Sequence, residues 1–375
     1  MSPSKVNIGI VGAGSFADLW YLPLLKKHPS VNIQAICSAG GSSAKKLAEK
    51  NDIHSSYFSY TDMFDKEALD GVCIVTPNIS HFSIALEASK RGIHVMCEKP
   101  LAMDQREARS MVKFAKDSQI VHGVNFTYRA NPAIKVLKHL LVEGFIGKVY
   151  EGKFQYTGGY GLSGPPGWRG TKSKGGVGGA LADLGSHLID LVQYVLSEKI
   201  DSVQSSLSFL HEGKLKNIQQ MESHDQSADS VFFNASFPSG AHGSFYTSWI
   251  SAQGNKNQTI ELSFFGSKGA ITFLSSELGV QLRYAHGREP WKEIQVDNVI
   301  KWNDFAEPSE ENFRPWRLTD QNIIYKWIDL ILEKQEKGKC ELIDIPTFED
   351  GYVVQKVMDS VVQSAYERKE IFITH

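Results

Sequence analysis

Apolar and polar positions along the chain follow two different rhythms. Over residues 1–125, short β-branched runs alternate with segments of helical period. The runs "KVNIGIVGAG", "VNIQAICS", "GVCIVTP", "HVMCEKP" and "IVHGVNF" read as strands. Between them, residues 16–28, "SSAKKLAEKN", "SHFSIALEASKRG" and "DQREARSMVKFAKDS" read as helices. Strict alternation implies parallel strands joined by right-handed crossovers, an α/β doubly wound sheet.

Past residue 130 the rhythm changes. A helix, "NPAIKVLKHLLVEG", is followed by a strand, "KVYEGKFQYTGG", a Gly-rich loop over 158–179 and a helix over 180–196. From 200 to 300 the segments "DSVQSSLSFL", "SADSVFFNASF", "GAHGSFYTSWI", "QTIELSFFG", "GAITFLS" and "GVQLRYAH" succeed one another. Strands joined by short turns imply an open, mainly antiparallel sheet in a second, α+β domain. Helices over 317–336 and 347–366 close the chain. The expected division is 1–125 and 126–375, with the last helices able to pack back on the first domain.

Composition narrows the function classes. The formal net charge is -2, so no basic field attracts nucleic acid or an anionic membrane. No apolar run approaches the ~20 residues needed to span a bilayer. The N-terminus has no charged region followed by a long apolar one, so no secretory signal is expected. Cys37, Cys73, Cys97 and Cys340 include no C-x-x-C pair and read as buried thiols in a reducing cytoplasm.

The first chemical motif is "IGIVGAGSFA", a strand running into a helix through G-x-G-x-x-A. Gly12 allows a tight turn, Gly14 lets the backbone approach a pyrophosphate, and Ala17 is small enough for helix–strand packing. The anion would sit on backbone N–H groups at the helix start, around Ser15 and Phe16. The second strand ends in Cys37 and Ser38, without the carboxylate that usually accepts from an NAD ribose. Ser38 and Ser43, with Lys45 or Lys46 nearby, suit a 2′-phosphate. NAD(P) is therefore the expected cofactor, with NADP favoured over NAD.

Further polar groups leave strands at the same edge, where doubly wound sheets bind ligands. Thr76, Pro77, Asn78 and His81 follow the third strand, Glu98, Lys99 and Pro100 the fourth, and Asn125, Tyr128 and Arg129 the fifth. They converge where a nicotinamide or its substrate would lie. The alternative for Lys99 is a solvated lysine at a strand exit.

In the segment "GGALADLGSHLIDL", Asp183 and His187 are spaced i, i+4 on one helical face, with Asp190 and Tyr194 near the same stripe. The stripe lacks the Lys, Glu and Arg of an ordinary solvated face. Two ligands are too few for a metal site, and none is expected. Trp168 and Arg169, in the preceding loop, are either near cofactor and substrate or a loop anchor and a solvated cation. Tyr156, Tyr160, His242 and Trp249 line the substrate side or pack the sheet.

"GIVGAGSFA", "VTPNISHFSIALEASKRGIHVMCEKPLAMD", "GGALADLGSHLIDL" and the closing "PTFEDGYVVQKVMDS" resemble the glucose–fructose oxidoreductase / inositol dehydrogenase (Gfo/Idh/MocA) family. The resemblance implies a Rossmann domain, a C-terminal α/β domain on an open sheet, and dimers or tetramers packed through that sheet. It implies NAD(P)-dependent hydride transfer at a sugar, polyol or related cyclic alcohol or ketone. Carried onto this sequence, it puts Lys99, Asp183 and His187 at the reacting carbon and Trp168 and Arg169 near the cofactor. A non-catalytic dinucleotide sensor, or a glycosidase with internal redox, would use the same scaffold. Alcohol oxidation releases a proton, and an imidazole of pKa ~6.5 can accept it at neutral pH. His187 suits that role, Lys99 suits donation to the substrate oxygen, and Asp183 suits holding a neighbouring hydroxyl. Which of Lys99 and His187 moves the proton stays open. Asp190 is expected to be structural or to support the site residues from behind.

Overall fold

The computed structural model describes residues 5–210, 225–252, 258–276, 279–296, 322–342 and 345–375. It divides into two compact units. The first contains Met1–Thr127 and Arg314–Tyr352, and the second contains Tyr128–Asp304 and Val353–His375.

The first unit is built on six parallel strands: β1 (Val6–Val11), β2 (Val31–Cys37), β3 (Ser55–Tyr57), β4 (Gly71–Ile74), β5 (His94–Cys97) and β6 (His122–Val124). Their order is β3-β2-β1-β4-β5-β6, the doubly wound arrangement. Val72, Cys73, Ile74, Val95, Met96 and Cys97 are all buried, as expected for strands covered on both faces. The crossovers carry α1 (Leu22–Lys27), α2 (Ser42–Asn51), α3 (Tyr60–Lys66), α4 (His81–Lys90) and α5 (Gln105–Asp117). The strand β3 and helix α3 were not expected from the sequence. A three-residue strand is too short to show a period, and α3 starts on a cap, Asp62 N–H donating to Ser59 Oγ at 3.3 Å.

Residues 16–28 do not form one α-helix. A π turn, Ala17–Tyr21, precedes α1. Helix α9 (Ile323–Lys337) joins the first unit, where Trp327 is fully buried and its Nε1 donates to the Val121 carbonyl at 3.3 Å. Residues 317–321 of the helix expected there lie outside the described residues. The last helix, α10 (Phe348–Glu367), begins in this unit.

A half-buried histidine, His94, and a buried one, His122, are expected to make the first unit pH-sensitive. His94 Nδ1 accepts from the Val121 N–H, and His122 Nδ1 accepts from the Phe348 N–H. Burial pushes each imidazole down to about 4. The unfolded chain therefore binds the extra protons first. The contribution of each ring, at most about 3 kcal/mol, is full above the ordinary histidine value and is lost as pH falls from ~6.5 towards 4. Urea unfolding midpoints should fall between pH 7.5 and pH 5, and His94→Asn should flatten part of that slope. An unchanged midpoint would remove this reading.

The second unit is a nine-stranded sheet of β7 (Val149–Thr157), β8 (Ser202–Ser208), β9 (Ser230–Ser236), β10 (His242–Ser248), β11 (Thr259–Gly266), β12 (Gly269–Ser276), β13 (Gly279–His286), β14 (Lys292–Glu293) and β15 (Ile371–Phe372). The order is β14-β13-β12-β11-β7-β10-β9-β8-β15. Every pairing is antiparallel except β7 with β10. Alternation sends Val231, Phe233 and Ala235 inward and leaves Phe232 and Asn234 exposed. Phe154, Phe233, Phe245 and Phe264 form the buried face, with Phe233 and Phe245 stacked at 4.5 Å. Helices α6 (Pro132–Val142) and α8 (Ser186–Leu196) lie in this unit, and a short turn of helix, α7 (Lys172–Gly175), interrupts the Gly-rich loop. Among the described residues, no helix is long and apolar enough to cross a membrane.

Candidate active site

One group of candidate residues lies at one edge of the parallel sheet. Register puts Tyr57, Cys37, Val11, Ile74, Cys97 and Val124 in a single row across six strands. The residues that follow, Ser38, Gly12, Val75, Glu98 and Asn125, therefore leave the sheet at the same level. Gly12 has φ +112°, and a Cβ there would lie 2.2 Å from the Val75 carbonyl. Only glycine fits that approach. Gly14 faces open space, Ser15 is exposed, Phe16 is half-buried against Trp20 and Tyr21, and Ala17 is fully buried. Close contact at the first small residue and openness at the second is what a pyrophosphate cradle requires.

Glu98 is buried, and its Oε1 accepts from Tyr21 Oη and Asn125 Nδ2, both at 2.7 Å. Burial and the Glu98 charge hold the Tyr21 phenol well above its ordinary pKa. The bracket turns Asn125 so that its Oδ1 is buried with no hydrogen-bond partner among the described residues. A buried acceptor left unmatched is costly, and a carboxamide N–H such as that of nicotinamide would satisfy it. The residues at this edge fit a nicotinamide dinucleotide.

Ser38 Oγ and Ser43 Oγ lie 2.8 Å apart, and Ser38 Oγ also accepts from the Ala44 N–H at the start of α2. Thr76 and Pro77 are half-buried at the β4 exit, Asn78 is buried there, and Lys99 is half-buried at the β5 exit. His81 does not have the place its sequence position implied. It is completely buried, with Nδ1 3.0 Å from the Pro100 carbonyl and Nε2 2.9 Å from the Thr76 carbonyl. Both ring nitrogens lie against backbone carbonyls and leave no polar ring atom for a ligand. Burial lowers its pKa, against the opposing pull of those carbonyls and Glu98.

A separate group of candidate residues lies within the second unit. The α-helix expected over 180–196 opens instead with a π turn, Leu181–Gly185, which carries Asp183; α8 then carries His187. Single π turns inside helices are frequent at functional sites. Gly179 precedes the turn at φ +50°, where a Cβ would lie 2.2 Å from the Ala228 carbonyl. Asp183 accepts from Tyr160 Oη at 2.7 Å and from Arg169 Nε at 3.1 Å. Burial and the Asp183 charge push the Tyr160 phenol well above its ordinary pKa. Arg169 also lies over the Trp168 ring at 4.5 Å. This pair thus braces a carboxylate, a role the sequence did not disclose.

His187 is buried, edge to face with Tyr128 at 4.8 Å. Tyr128 Oη and Tyr156 Oη are 2.6 Å apart, and Tyr156 Oη donates to Gln258. The structure thus gives Tyr128 to the imidazole wall. Arg129 forms a buried pair with Asp190, Nε lying 3.1 Å and 3.0 Å from its two oxygens, and stacks on Tyr194. Trp249 is buried and donates to Asp229, while His242 is exposed beside Glu151. Among the described residues, no three His, Cys, Asp or Glu side chains gather as a metal site.

Comparison with known proteins decides the family. Residues 6–126 match the oxidoreductase family with an NAD-binding Rossmann fold, and residues 134–272 match the GFO/IDH/MocA C-terminal domain. The chain belongs to the Gfo/Idh/MocA family. It is thus an oxidoreductase with an NAD-binding Rossmann domain. Levoglucosan dehydrogenase of Pseudarthrobacter phenanthrenivorans is 28% identical, over 96% of each chain. D-glucoside 3-dehydrogenase of Escherichia coli is also 28% identical, over 74% of this chain and 80% of the other. A structure of levoglucosan dehydrogenase with NADH and levoglucosan superposes with a TM-score of 0.81 at 24% identity, covering 99% of this chain and 100% of that one.

Proposed function

We propose that this family member oxidises a secondary hydroxyl of a sugar, polyol or related cyclic alcohol, or reduces the matching ketone, with NAD(P). The observation that carries the reading is Asp183, a carboxylate fixed by Tyr160 and Arg169 one turn before the imidazole of His187. A fixed, ionised carboxylate is an acceptor for sugar hydroxyls. The sugar dehydrogenases among the relatives support the substrate class.

The nicotinamide, when bound, supplies a hydride acceptor. The chain's own groups handle the oxygen and its proton. Lys99 donates to the substrate oxygen and stabilises its alkoxide character. His187 accepts the hydroxyl proton during oxidation and returns it during reduction. Asp183 accepts from an adjacent hydroxyl and sets which carbon presents its hydrogen. Asn125 Oδ1 would hold the nicotinamide carboxamide and the Gly12–Gly14 turn the pyrophosphate.

We place NADP ahead of NAD, on the Ser38–Ser43 hydroxyl pair and the absence of a carboxylate at Ser38. Two or more copies pack through the exposed sheet face that carries Phe232, with a cytoplasmic location supported by four free cysteines. A monomer in sedimentation would remove the assembly reading. Screening aldoses, inositols and anhydrosugars with both cofactors at 340 nm tests the function. Turnover of at least one compound is expected, faster with NADP, and Ser38→Asp should shift the ratio towards NAD. No turnover across the panel would sink the substrate class, and an unchanged ratio would sink the cofactor preference.

A further inference from the structure

His81 is a buried titratable group with no part in the chemistry proposed above. It is fully buried at the first position of α4, the helix that crosses from β4 to β5. Its two ring nitrogens meet two different strand exits, the Thr76 carbonyl after β4 and the Pro100 carbonyl after β5. Ile74 pairs with Cys97 across those strands, so Thr76 and Lys99 each stand two residues past one paired row. The Thr76 exit is fastened further, because Ser80 Oγ lies 2.8 Å from Thr76 Oγ1 and 2.9 Å from the Pro77 carbonyl.

We propose that His81 is a positioning residue, whose ring ties the Thr76 exit to the Lys99–Pro100 exit and so sets the reach of Lys99 relative to the cofactor. A surface histidine could be replaced without consequence. This ring fills a buried gap between two carbonyls, each of which loses water on folding and needs a donor. A ring with one proton serves one carbonyl, and with two it serves both. Burial favours the singly protonated ring, in which one nitrogen donates and the rest of the ring fills the space up to the other carbonyl, so that it still packs between the loops that carry Thr76, Pro77 and Asn78 on one side and Glu98 and Lys99 on the other. The importance of Lys99 to turnover rests on the function proposed above; the brace itself does not.

The two ring nitrogens can be separated by substitution. Asn at this position reproduces the Nδ1 donor and keeps the Pro100 contact. Gln reproduces the Nε2 donor and keeps the Thr76 contact. His81→Leu removes both and serves as the limit, with thermal melts to show that each variant is folded. Lys99 is followed by 13C reductive methylation and NMR of the full-length protein, and NADPH binding by fluorescence titration. Neither readout needs a substrate.

In His81→Gln the Lys99 resonance should shift and kcat should fall by ~10-fold to 100-fold, with the NADPH Kd within about 2-fold. In His81→Asn the Lys99 resonance should stay in place and the NADPH Kd should rise by ~10-fold. Equal losses in both variants, tracking their melting temperatures, would show a merely structural ring and overturn the proposal. So would an unmoved Lys99 resonance in His81→Gln. If no sugar is turned over, the function fails while the resonance and Kd still decide the brace.

Discussion

Lys99→Met is expected to lower kcat by ~10²-fold to 10³-fold while leaving the Kd for NADPH within about 2-fold. Methionine keeps the length and apolar stem of the side chain and removes the ammonium. The ammonium is worth most where negative charge grows on the substrate oxygen, so its loss should appear in kcat more than in KM. Cofactor binding should survive because the Gly12 turn, Glu98 and Asn125 do not depend on that charge. His187→Ala is expected to cost ~10²-fold to 10⁴-fold in kcat. Steady-state rates and NADPH fluorescence titrations of both variants check this. Near wild-type turnover in either would show that the assigned groups do not carry the reaction.

The reach of sequence reasoning differs from group to group for physical reasons. The location of Gly12, Glu98 and Lys99 at one sheet edge was legible because each follows a mostly apolar strand, and in a doubly wound sheet a strand end is already a location. Asp183 and His187 were legible as polar intruders in an apolar helix. The π turn beneath Asp183 was not, since one extra residue per turn leaves no mark on so short a pattern. Arg169 and Tyr160 could be named as neighbours of the site, but their hydrogen bonds to Asp183 bring together residues 14 and 23 positions apart. His81 was read as a ligand because polar residues at a strand exit usually face outward. Its burial depends on the Pro100 carbonyl, which arrives from another strand. Parallel pairing of β7 with β10 was likewise invisible, because alternation is the same for either direction.

Asp183 and Asp190 stand seven residues apart in one segment and should respond to substitution in opposite ways. Asp190 is 1% exposed and faces Arg129, itself 14% exposed. Asp190→Ala would leave a guanidinium buried without its carboxylate, and removing one partner of such a pair typically costs ~3–5 kcal/mol. The melting temperature should drop sharply, with kcat/KM at low temperature little changed in the folded fraction. Pairing Asp190→Leu with Arg129→Met should recover most of the loss, because replacing both charges removes the uncompensated one. Asp183 is different. Its partners are Arg169, 37% exposed and able to reach water, and the half-buried Tyr160 hydroxyl, so Asp183→Ala should lower the unfolding midpoint less than Asp190→Ala. Its effect should fall on kcat/KM for the sugar, with NADPH binding retained. Denaturant unfolding and steady-state kinetics on the same four proteins resolve the two roles. If Asp183→Ala unfolds the protein while Asp190→Ala only slows it, the division between binding carboxylate and structural carboxylate is reversed.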